Sequence, residues 1–328
     1  MWGGRPRVLV TGAAGQIGSA LVPFLRERYG ADRVLATDLR ALPGPLTAEG
    51  PHRRLDCLDP EALDEAVSDH RPQVIYHLAA LLSAVAEEDP SRSYRVNMDG
   101  LVHVLEVARE RGCAVFVPSS IAAFGPTSPR DETPQETIQR PTTIYGVTKV
   151  AGELLSDYYH SRYGLDVRGL RFPGLISPGT LPGGGTTDYA VEIFHRALSE
   201  GRYTCFLRPD TQLDFMYMPD AVRAAVELME ADGTKLAYRN AYNVTAMQIT
   251  PEGLGEAVRR HIPGFRMDYD VDPLRQRIAD SWPRRLDDSA ARAEWGWEPF
   301  YDLEAMTAHM VEALSETALP EGRYGHAP

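Results

Sequence analysis

A phenol and an ammonium group stand four residues apart at Tyr145 and Lys149. On a helix this spacing places one side chain above the other on a single face. A free tyrosine has a pKa of about 10, so the Lys149 cation, helped by an oxidised nicotinamide, is expected to lower the pKa of Tyr145 and favour the phenolate, which can accept a proton. Ser120, at the end of an apolar run, would hydrogen-bond the same substrate oxygen. The three residues predict hydride transfer at a carbinol carbon, with Tyr145 as the general base.

Three glycines follow the first apolar run of the chain at intervals of three residues, and an apolar pattern at helical spacing comes next. This order predicts a strand, a tight turn and a helix. Gly12 allows the sharp turn, Gly15 lets the backbone approach a pyrophosphate, and Gly18 lets helix and strand pack closely. The first helical residues, Gln16 and Ile17, offer unpaired N–H groups to the phosphates. The turn therefore predicts a dinucleotide site.

An acidic residue, Asp38, ends the second apolar run, twenty residues after Gly18. In dinucleotide-binding folds a carboxylate at this place accepts hydrogen bonds from the ribose hydroxyls of adenosine. Asp38 therefore predicts NAD as the cofactor, because its carboxylate would repel the 2′-phosphate of NADP. Asp56 is predicted to lie near the adenine. Arg40 is the opposing signal, because its guanidinium could pair with that phosphate.

Apolar runs alternate with helical patterns, which predicts a parallel sheet with helices on both faces. The fold class is therefore α/β, a Rossmann-type doubly wound parallel sheet with a smaller C-terminal substrate-binding lobe. Ligands of such sheets bind beyond the carboxyl ends of the strands, where His77 is interpreted as a packed residue rather than an acid or base. The predicted strands after the first are 33–38, 74–78, 115–120 and 167–172, and the main predicted helices are 60–70, 90–111 and 144–163.

The composition changes after Pro173, where glycine and proline become frequent. We predict an NAD-binding Rossmann domain over 1–175, to which the chain returns at about 214–232, and a smaller substrate-binding domain over 176–328. The glycine run at 183–185 is interpreted equally as a substrate contact or as the hinge of a lid.

The chain has 328 residues and a net charge of −12 at pH 7, with no basic run. This composition argues against nucleic acid or an anionic membrane as a partner. The three cysteines lie far apart, without the spacing of a metal site, so we expect free thiols in a reducing cytoplasm and no bound metal. No apolar run approaches the roughly 20 residues of a membrane span, and we expect a soluble, cytoplasmic protein.

The glycine turn, Asp38, Ser120 and the Tyr145/Lys149 pair resemble the extended short-chain dehydrogenase/reductase family, which includes UDP-galactose 4-epimerase and the nucleotide-sugar dehydratases. The dehydratases carry an acidic pair directly after the catalytic Ser or Thr. This chain has Ile121-Ala122 there, so dehydration is disfavoured. The further cofactor contacts that the resemblance implies are Leu78, Ala79, Ala80, Asn97, Tyr145, Lys149 and Pro173.

Four shorter segments, at 77–84, 118–126, 183–190 and 278–283, resemble the L-threonine 3-dehydrogenases within that family. This resemblance implies NAD-dependent oxidation of L-threonine at C3 to L-2-amino-3-ketobutyrate, a step of threonine catabolism. The unrelated zinc-dependent threonine dehydrogenases need Cys and His ligands, which the scattered cysteines do not offer. The implied substrate-binding residues are Ser83, Ser120, Tyr145, Gly184, Gly185, Thr186, Asp188 and Trp282.

The substrate loop has the composition that a zwitterionic amino acid needs. Ser83 and Thr186 could donate to the carboxylate of threonine, and Asp188 could accept from its ammonium group. The alternative is a purely structural role for Thr186, in which its hydroxyl caps the helix that begins near Asp188.

A nucleotide-sugar 4-epimerase of the same fold is the main alternative function. Its pocket would need cations for a diphosphate, and 177–188 contains no Arg or Lys, although Arg196, Arg202 and Arg208 follow it. A non-catalytic dinucleotide sensor is the weaker alternative, because such proteins tend to lose the tyrosine or the lysine.

The resemblance also implies a homodimer in which the helices over 97–109 and 145–159 form a four-helix bundle with their symmetry mates. Apolar residues at i, i+3, i+4 spacing on both helices are compatible with this arrangement, and the alternative is that both stripes face the sheet. The stripes are Leu101, Val104, Leu105 and Ala108 on the first helix and Val150, Leu154 and Tyr158 on the second.

Overall fold

The computed structural model describes residues 4–181 and 185–316 of the chain. The strands are β1 (Val8–Thr11), β2 (Val34–Asp38), β3 (His52–Arg54), β4 (Val74–His77), β5 (Ala114–Ser120), β6 (Val167–Phe172), β7 (Gly174–Ile176), β8 (Arg202–Cys205), β9 (Leu213–Tyr217), β10 (Tyr242–Asn243), β11 (Met247–Ile249) and β12 (Arg266–Tyr269). The α-helices are α1 (Gln16–Tyr29), α2 (Gly44–Ala48), α3 (Pro60–His70), α4 (Ser83–Glu88), α5 (Pro90–Tyr94), α6 (Gly100–Arg111), α7 (Ile144–Tyr163), α8 (Tyr189–Glu200), α9 (Met218–Glu230), α10 (Pro251–His261), α11 (Pro273–Ser281), α12 (Ser289–Trp295) and α13 (Leu303–Glu316).

Seven strands form the central sheet in the spatial order β3–β2–β1–β4–β5–β6–β10, and all its pairings are parallel. The strand order reverses between β1 and β4, as in doubly wound dinucleotide-binding folds. β1, β2, β4 and β6 are buried along their whole length, because helices cover both faces of the sheet. The predicted fold class is therefore confirmed.

Helix α7 has the limits that the sequence predicts, because both of its ends carry local signals. Thr143 precedes it, and its hydroxyl accepts a hydrogen bond from the Gly146 N–H at 3.1 Å. Gly164 ends it with a φ of +70°, a conformation that favours glycine. Helix α3 likewise starts after Asp59, whose carboxylate accepts from the Ala62 N–H at 3.0 Å.

The long helix predicted over 90–111 is interrupted. Its middle, Arg95–Asp99, is π-helical and joins α5 to α6. A π-turn inserts one residue and rotates the following side chains, and such turns are frequent at functional sites. A second difference lies at the sheet edge, where the polar segment His52–Arg54 forms β3 beside β2.

The second half of the chain builds two small sheets, β7–β9–β11 and β8–β12. Within the predicted return segment 214–232, α9 packs on α1 in the large core, whereas β9 lies in a small sheet. Two segments that the predicted division gives to the smaller lobe pack on the larger sheet instead. β10 pairs with β6, and Trp297 joins the same core as β1 and α1. The division into two domains itself stays a prediction.

The apolar stripe predicted for dimer contact on α6 is wrong. Leu101, Val104, Leu105 and Ala108 are buried in a core shared with α3 and the central sheet. Periodicity gives the width of an apolar face but not what covers it, and here the protein's own sheet does. On α7, by contrast, Leu154 and Tyr158 are exposed and Val150 is half-buried.

Cys57, Cys113 and Cys205 are buried free thiols. Over 4–181 and 185–316, no group of three or more His, Cys, Asp or Glu side chains could hold a metal ion. Over the same ranges, no helix is long and apolar enough to cross a membrane.

Candidate active site

The β1–α1 turn lies at the point where the strand order reverses. Two of its positions require glycine, because a Cβ atom there would collide with neighbouring backbone atoms. Gly12 has a φ of +72°, and a Cβ there would lie 2.6 Å from the Ala79 N and 2.7 Å from the Leu78 carbonyl carbon. A Cβ on Gly18 would lie 2.4 Å from the Gly12 oxygen. The turn is thus pressed against the loop that follows β4, which brings Leu78 and Ala79 to the turn, with Ala80 next along that loop.

The start of α1 is suited to an anion. Gly15 precedes the helix without a side-chain cap, and its first turn, with Gln16 and Ile17, carries no acidic residue. The unpaired N–H groups and the positive end of the helix dipole are therefore available to phosphate oxygens. Gln16 donates through Nε2 to the Leu175 carbonyl at 3.5 Å, which brings the turn close to the buried Pro173 between β6 and β7.

Asp38 ends β2 with its side chain 7% exposed. Its carboxylate accepts from the Ala14 N–H at 2.9 Å and from the Arg40 N–H at 2.8 Å, so it is fixed beside the glycine turn. The Arg40 Nε lies 3.4 Å from the same carboxylate, but the Arg40 side chain is 67% exposed, so Arg40 remains the opposing signal for a 2′-phosphate. Asp56 lies after β3, where it accepts from the Leu58 N–H at 3.0 Å.

We predict a preference for NAD over NADP, with kcat/KM at least roughly tenfold higher for NAD, since Asp38 would repel a 2′-phosphate. Asp38→Asn should narrow this ratio. Initial rates with both cofactors measure it, and the surface variant Asp69→Asn should leave it unchanged. Equal or better efficiency of the parent protein with NADP would contradict the assignment.

Asn97 lies in the π-helical segment, where its side-chain amide is fully used by the protein. Its Oδ1 accepts from the Leu81 N–H at 2.8 Å, and its Nδ2 donates to the Leu81 carbonyl at 3.1 Å and to the Thr148 hydroxyl at 3.2 Å. Asn97 therefore holds the loop after β4 against α7. Its predicted contact with the cofactor stays a prediction.

The structure brings Ser120, Tyr145 and Lys149 together between β5 and α7. The Ser120 and Tyr145 hydroxyls share a hydrogen bond, and Ser120 Oγ also accepts from the Ala122 N–H at 3.2 Å. Lys149 Nζ donates to the Pro118 carbonyl at 2.7 Å and lies 5.3 Å from the centre of the Tyr145 ring. The phenol, the hydroxyl and the ammonium group therefore form one cluster at the carboxyl end of β5.

The lowering of the Tyr145 pKa is predicted for the complex with oxidised NAD and stays a prediction, whereas the protein's own packing shifts this pKa in the opposite direction. Burial raises the pKa of Tyr145 to about 12, and the hydrogen bond with Ser120 offsets part of the rise. Burial also lowers the pKa of Lys149 to about 8, against the opposing charge of Glu153. His77 is a packed residue, as predicted. Burial lowers its pKa to about 3, and its Nδ1 lies 2.9 Å from the Thr11 hydroxyl.

Two of the predicted substrate residues, Gly185 and Thr186, lie in the segment directly before α8. Thr186 is buried, and Gly185 donates its N–H to the Asp188 carboxylate at 2.6 Å, directly before α8. Asp188, and not Thr186, occupies the capping position of α8, so the capping alternative for Thr186 is wrong. Gly184 lies outside the described residues.

The predicted substrate residues Ser83 and Trp282 lie on two other elements of the fold. Ser83 begins α4, which packs on α7, and Glu87 of α4 accepts from the Ile144 N–H at 2.7 Å. Trp282 is buried in the core of the smaller sheets, against which the Tyr145 ring also packs.

The arginines that could serve a diphosphate are engaged or exposed. Arg196 pairs with Glu200, and Arg208 pairs with Asp280 at 3.0 Å. Arg202 is exposed at the start of β8. In the described part of the chain, these arginines therefore offer no buried cluster of free cations to a nucleotide sugar.

A family model described as the NAD dependent epimerase/dehydratase family matches residues 8–245. The chain belongs to this family. Its cofactor is therefore NAD, in agreement with the glycine turn and Asp38. An uncharacterized epimerase/dehydratase of Staphylococcus saprophyticus is 54% identical over 309 residues, which are 94% of this chain and 97% of that protein.

Solved structures resemble the whole chain. An L-threonine dehydrogenase from Clostridium difficile is 51% identical with a TM-score of 0.94, covering 97% of this chain and 100% of that one. A monomeric L-threonine 3-dehydrogenase from a metagenome is 43% identical with a TM-score of 0.91, covering 94% and 99%. The UDP-glucose 4-epimerase of Thermotoga maritima is 26% identical with a TM-score of 0.84, covering 95% and 99%.

Sequence reasoning missed the polar groups behind the catalytic cluster. Thr148 receives the Asn97 amide, and Glu153 and Arg171 form a buried ion pair at 2.8 Å. The spacing of four residues between Lys149 and Glu153 was the available signal, because it repeats the spacing of Tyr145 and Lys149.

Proposed function

We propose that this protein is an NAD-dependent L-threonine 3-dehydrogenase, which oxidises L-threonine at C3 to L-2-amino-3-ketobutyrate. The observation that carries the proposal is the cluster of Tyr145, Ser120 and Lys149 at the carboxyl end of β5. The high identity to L-threonine dehydrogenases along the whole chain supports the choice of substrate.

Each catalytic residue has one task in this reaction. NAD, when bound, supplies the acceptor for the hydride from C3. Tyr145 accepts the proton of the C3 hydroxyl, Ser120 hydrogen-bonds the same oxygen, and the Lys149 ammonium stabilises the phenolate that the proton transfer requires. Burial of the cluster strengthens these interactions, because the surrounding protein screens charges less than water does.

Threonine-dependent formation of NADH, followed by its absorbance, tests the proposal. We expect turnover with L-threonine and none with UDP-glucose or UDP-galactose. Interconversion of the two UDP-sugars without response to threonine would instead establish the 4-epimerase. Tight NAD binding without turnover of either substrate would establish the sensor.

Thr186→Ala and Ser83→Ala should each weaken the use of threonine and spare NAD binding. Loss of one hydrogen bond to a charged group costs about 1.5–3 kcal/mol, which is roughly a 10- to 150-fold drop in kcat/KM. Steady-state kinetics, NAD affinity and melting temperature are measured together, with Thr187→Ala as the neighbouring control. A Thr186 variant that melts earlier but keeps its threonine kinetics would place this residue outside the substrate site.

We also propose a homodimer, now through α7 alone rather than through the buried stripe of α6. Four large apolar side chains are exposed on α7, namely Val147, Leu154, Tyr158 and Tyr163, and Tyr94 is exposed on α5, which packs against α7. Such a group on a surface is typical of an interface.

Light scattering should give twice the chain mass for the parent and a monomer for Leu154→Arg. The exposed Leu274→Arg serves as control, since it lies on α11. A monomer mass for the parent at micromolar concentration would refute the dimer, and the monomeric metagenome enzyme shows that this outcome occurs among related structures.

A further inference from the structure

Three successive residues of β5 hold three successive turns of α7. Ser120 bonds Tyr145, the Pro118 carbonyl accepts from Lys149, and the Ser119 hydroxyl donates to Glu153. Tyr145, Lys149 and Glu153 are thus all bonded to the same strand, β5. Glu153 lies one turn beyond Lys149 on the same face of α7.

Glu153 is a buried carboxylate with a full set of partners. Its residue is 4% exposed, and Arg171 of β6 donates to both of its oxygens, at 3.0 and 2.8 Å. The Gln139 amide donates to it at 2.8 Å. The ion pair with Arg171 and the bond from Gln139 therefore satisfy both carboxylate oxygens and fix the side chain in place.

A small cavity of about 30 Å³ is lined by both Glu153 and Lys149. Lys149, Thr148, Ser119, Glu153 and Ser156 all contribute to its lining. Its volume suits about one or two water molecules, which the polar groups among its lining residues could bind. The ammonium and carboxylate groups therefore share one confined environment, in which screening is weaker than in bulk water.

We propose that Glu153 is a positioning residue whose negative charge keeps the buried Lys149 in its ammonium form. Burial alone favours the neutral amine, and the carboxylate one turn away opposes this tendency. Arg171 has the complementary task of holding the carboxylate in place. The proposal rests on the use of the Lys149 ammonium in the proposed function, but it concerns a property of the resting protein that can be measured without threonine.

Other ionisable groups face this pair from the surrounding elements. Arg171 lies on β6, Tyr145 and Asp157 on α7, and His77 on β4. Burial keeps His77 neutral, with a pKa of about 3, so it adds no charge near Lys149 at neutral pH. Asp157 lies one turn beyond Glu153, is exposed, and accepts from the Asn240 amide at 2.9 Å.

The low lysine content of the chain permits a direct measurement of the Lys149 pKa. Of its 34 lysines and arginines, two are lysines, Lys149 and Lys235. In the full chain with isotope-labelled lysine and Lys235→Arg, the remaining lysine signal in an NMR titration belongs to Lys149. Its pKa can then be compared between the parent, Glu153→Gln and the control Asp157→Asn, with and without NAD.

We expect the pKa of Lys149 to fall by about one unit in Glu153→Gln and to change by less than about 0.3 units in Asp157→Asn. At pH 8 a fall of one unit lowers the charged fraction, and with it kcat/KM, roughly fivefold. An unchanged Lys149 pKa in a folded Glu153→Gln protein would overturn the proposal, whatever the substrate proves to be.

Glu153→Gln leaves the buried Arg171 without its partner, which can prevent folding. The double variant Glu153→Gln/Arg171→Met removes the ion pair as a unit and avoids an unpaired buried charge. Its Lys149 pKa should still lie below that of the parent. A return to the parent value would show that the ion pair serves stability alone and would overturn the proposal equally.

Discussion

Tyr145→Phe is expected to lower turnover by roughly 100-fold or more, the usual range for loss of a general base. The substitution removes the hydroxyl that accepts the substrate proton and that bonds Ser120. It keeps the ring, which packs against the core of the smaller sheets, so the fold and the NAD site should be preserved. Threonine-dependent NADH formation measures the loss, and NAD affinity and melting temperature measure what is preserved.

Tyr163→Phe, at the far end of the same helix, is the matched control. It removes a hydroxyl of the same kind without touching the catalytic cluster, so turnover should be unchanged. Activity of Tyr145→Phe above a tenth of the parent value would mean that another group accepts the proton.

Gly12→Ala is expected to abolish productive NAD binding, with an affinity loss of roughly 100-fold. Two unfavourable energies add at this position, backbone strain and a steric clash. The φ of +72° strains any residue with a Cβ, at about 1–2 kcal/mol. The new methyl group would also press on the backbone of Leu78 and Ala79, at 2.6 to 2.9 Å. Relief of that contact must move the turn or the loop after β4, and both belong to the cofactor site.

Gly112→Ala separates the two costs. Gly112 has nearly the same φ, +70°, but no atom lies within 4 Å of the added Cβ. This variant should lose about 1–2 kcal/mol of stability and bind NAD normally. Denaturant unfolding and calorimetric titration with NAD measure both quantities. Equal NAD affinity of the two variants would show that backbone contact at the turn does not matter for the cofactor.

The parts of the fold that could be predicted from the sequence are those encoded by neighbouring residues. The limits of α7 follow from Thr143 and Gly164, and the cofactor turn follows from glycine spacing at Gly12 and Gly18. Ser120, Tyr145 and Lys149 could be grouped because, in a parallel sheet, the carboxyl ends of the strands and the amino ends of the helices lie at the same edge.

The failures concern what a residue packs against. The apolar stripe of α6 has the periodicity of an interface, but Val104 and Leu105 face the protein's own core. The short strand β10 joins the large sheet from a distant part of the chain, without a sequence pattern of its own.

The burial of Lys149 has a practical consequence for attaching the protein to surfaces or dyes. One of the two lysine side chains, Lys235, is exposed and can react with amine-directed reagents. It ends the short turn Gly233–Lys235 after α9. Lys149 is protected by its burial and by its bond to the Pro118 carbonyl. Apart from the α-amino group, coupling chemistry would therefore proceed at one defined side chain and leave the reactive amine of the active site intact.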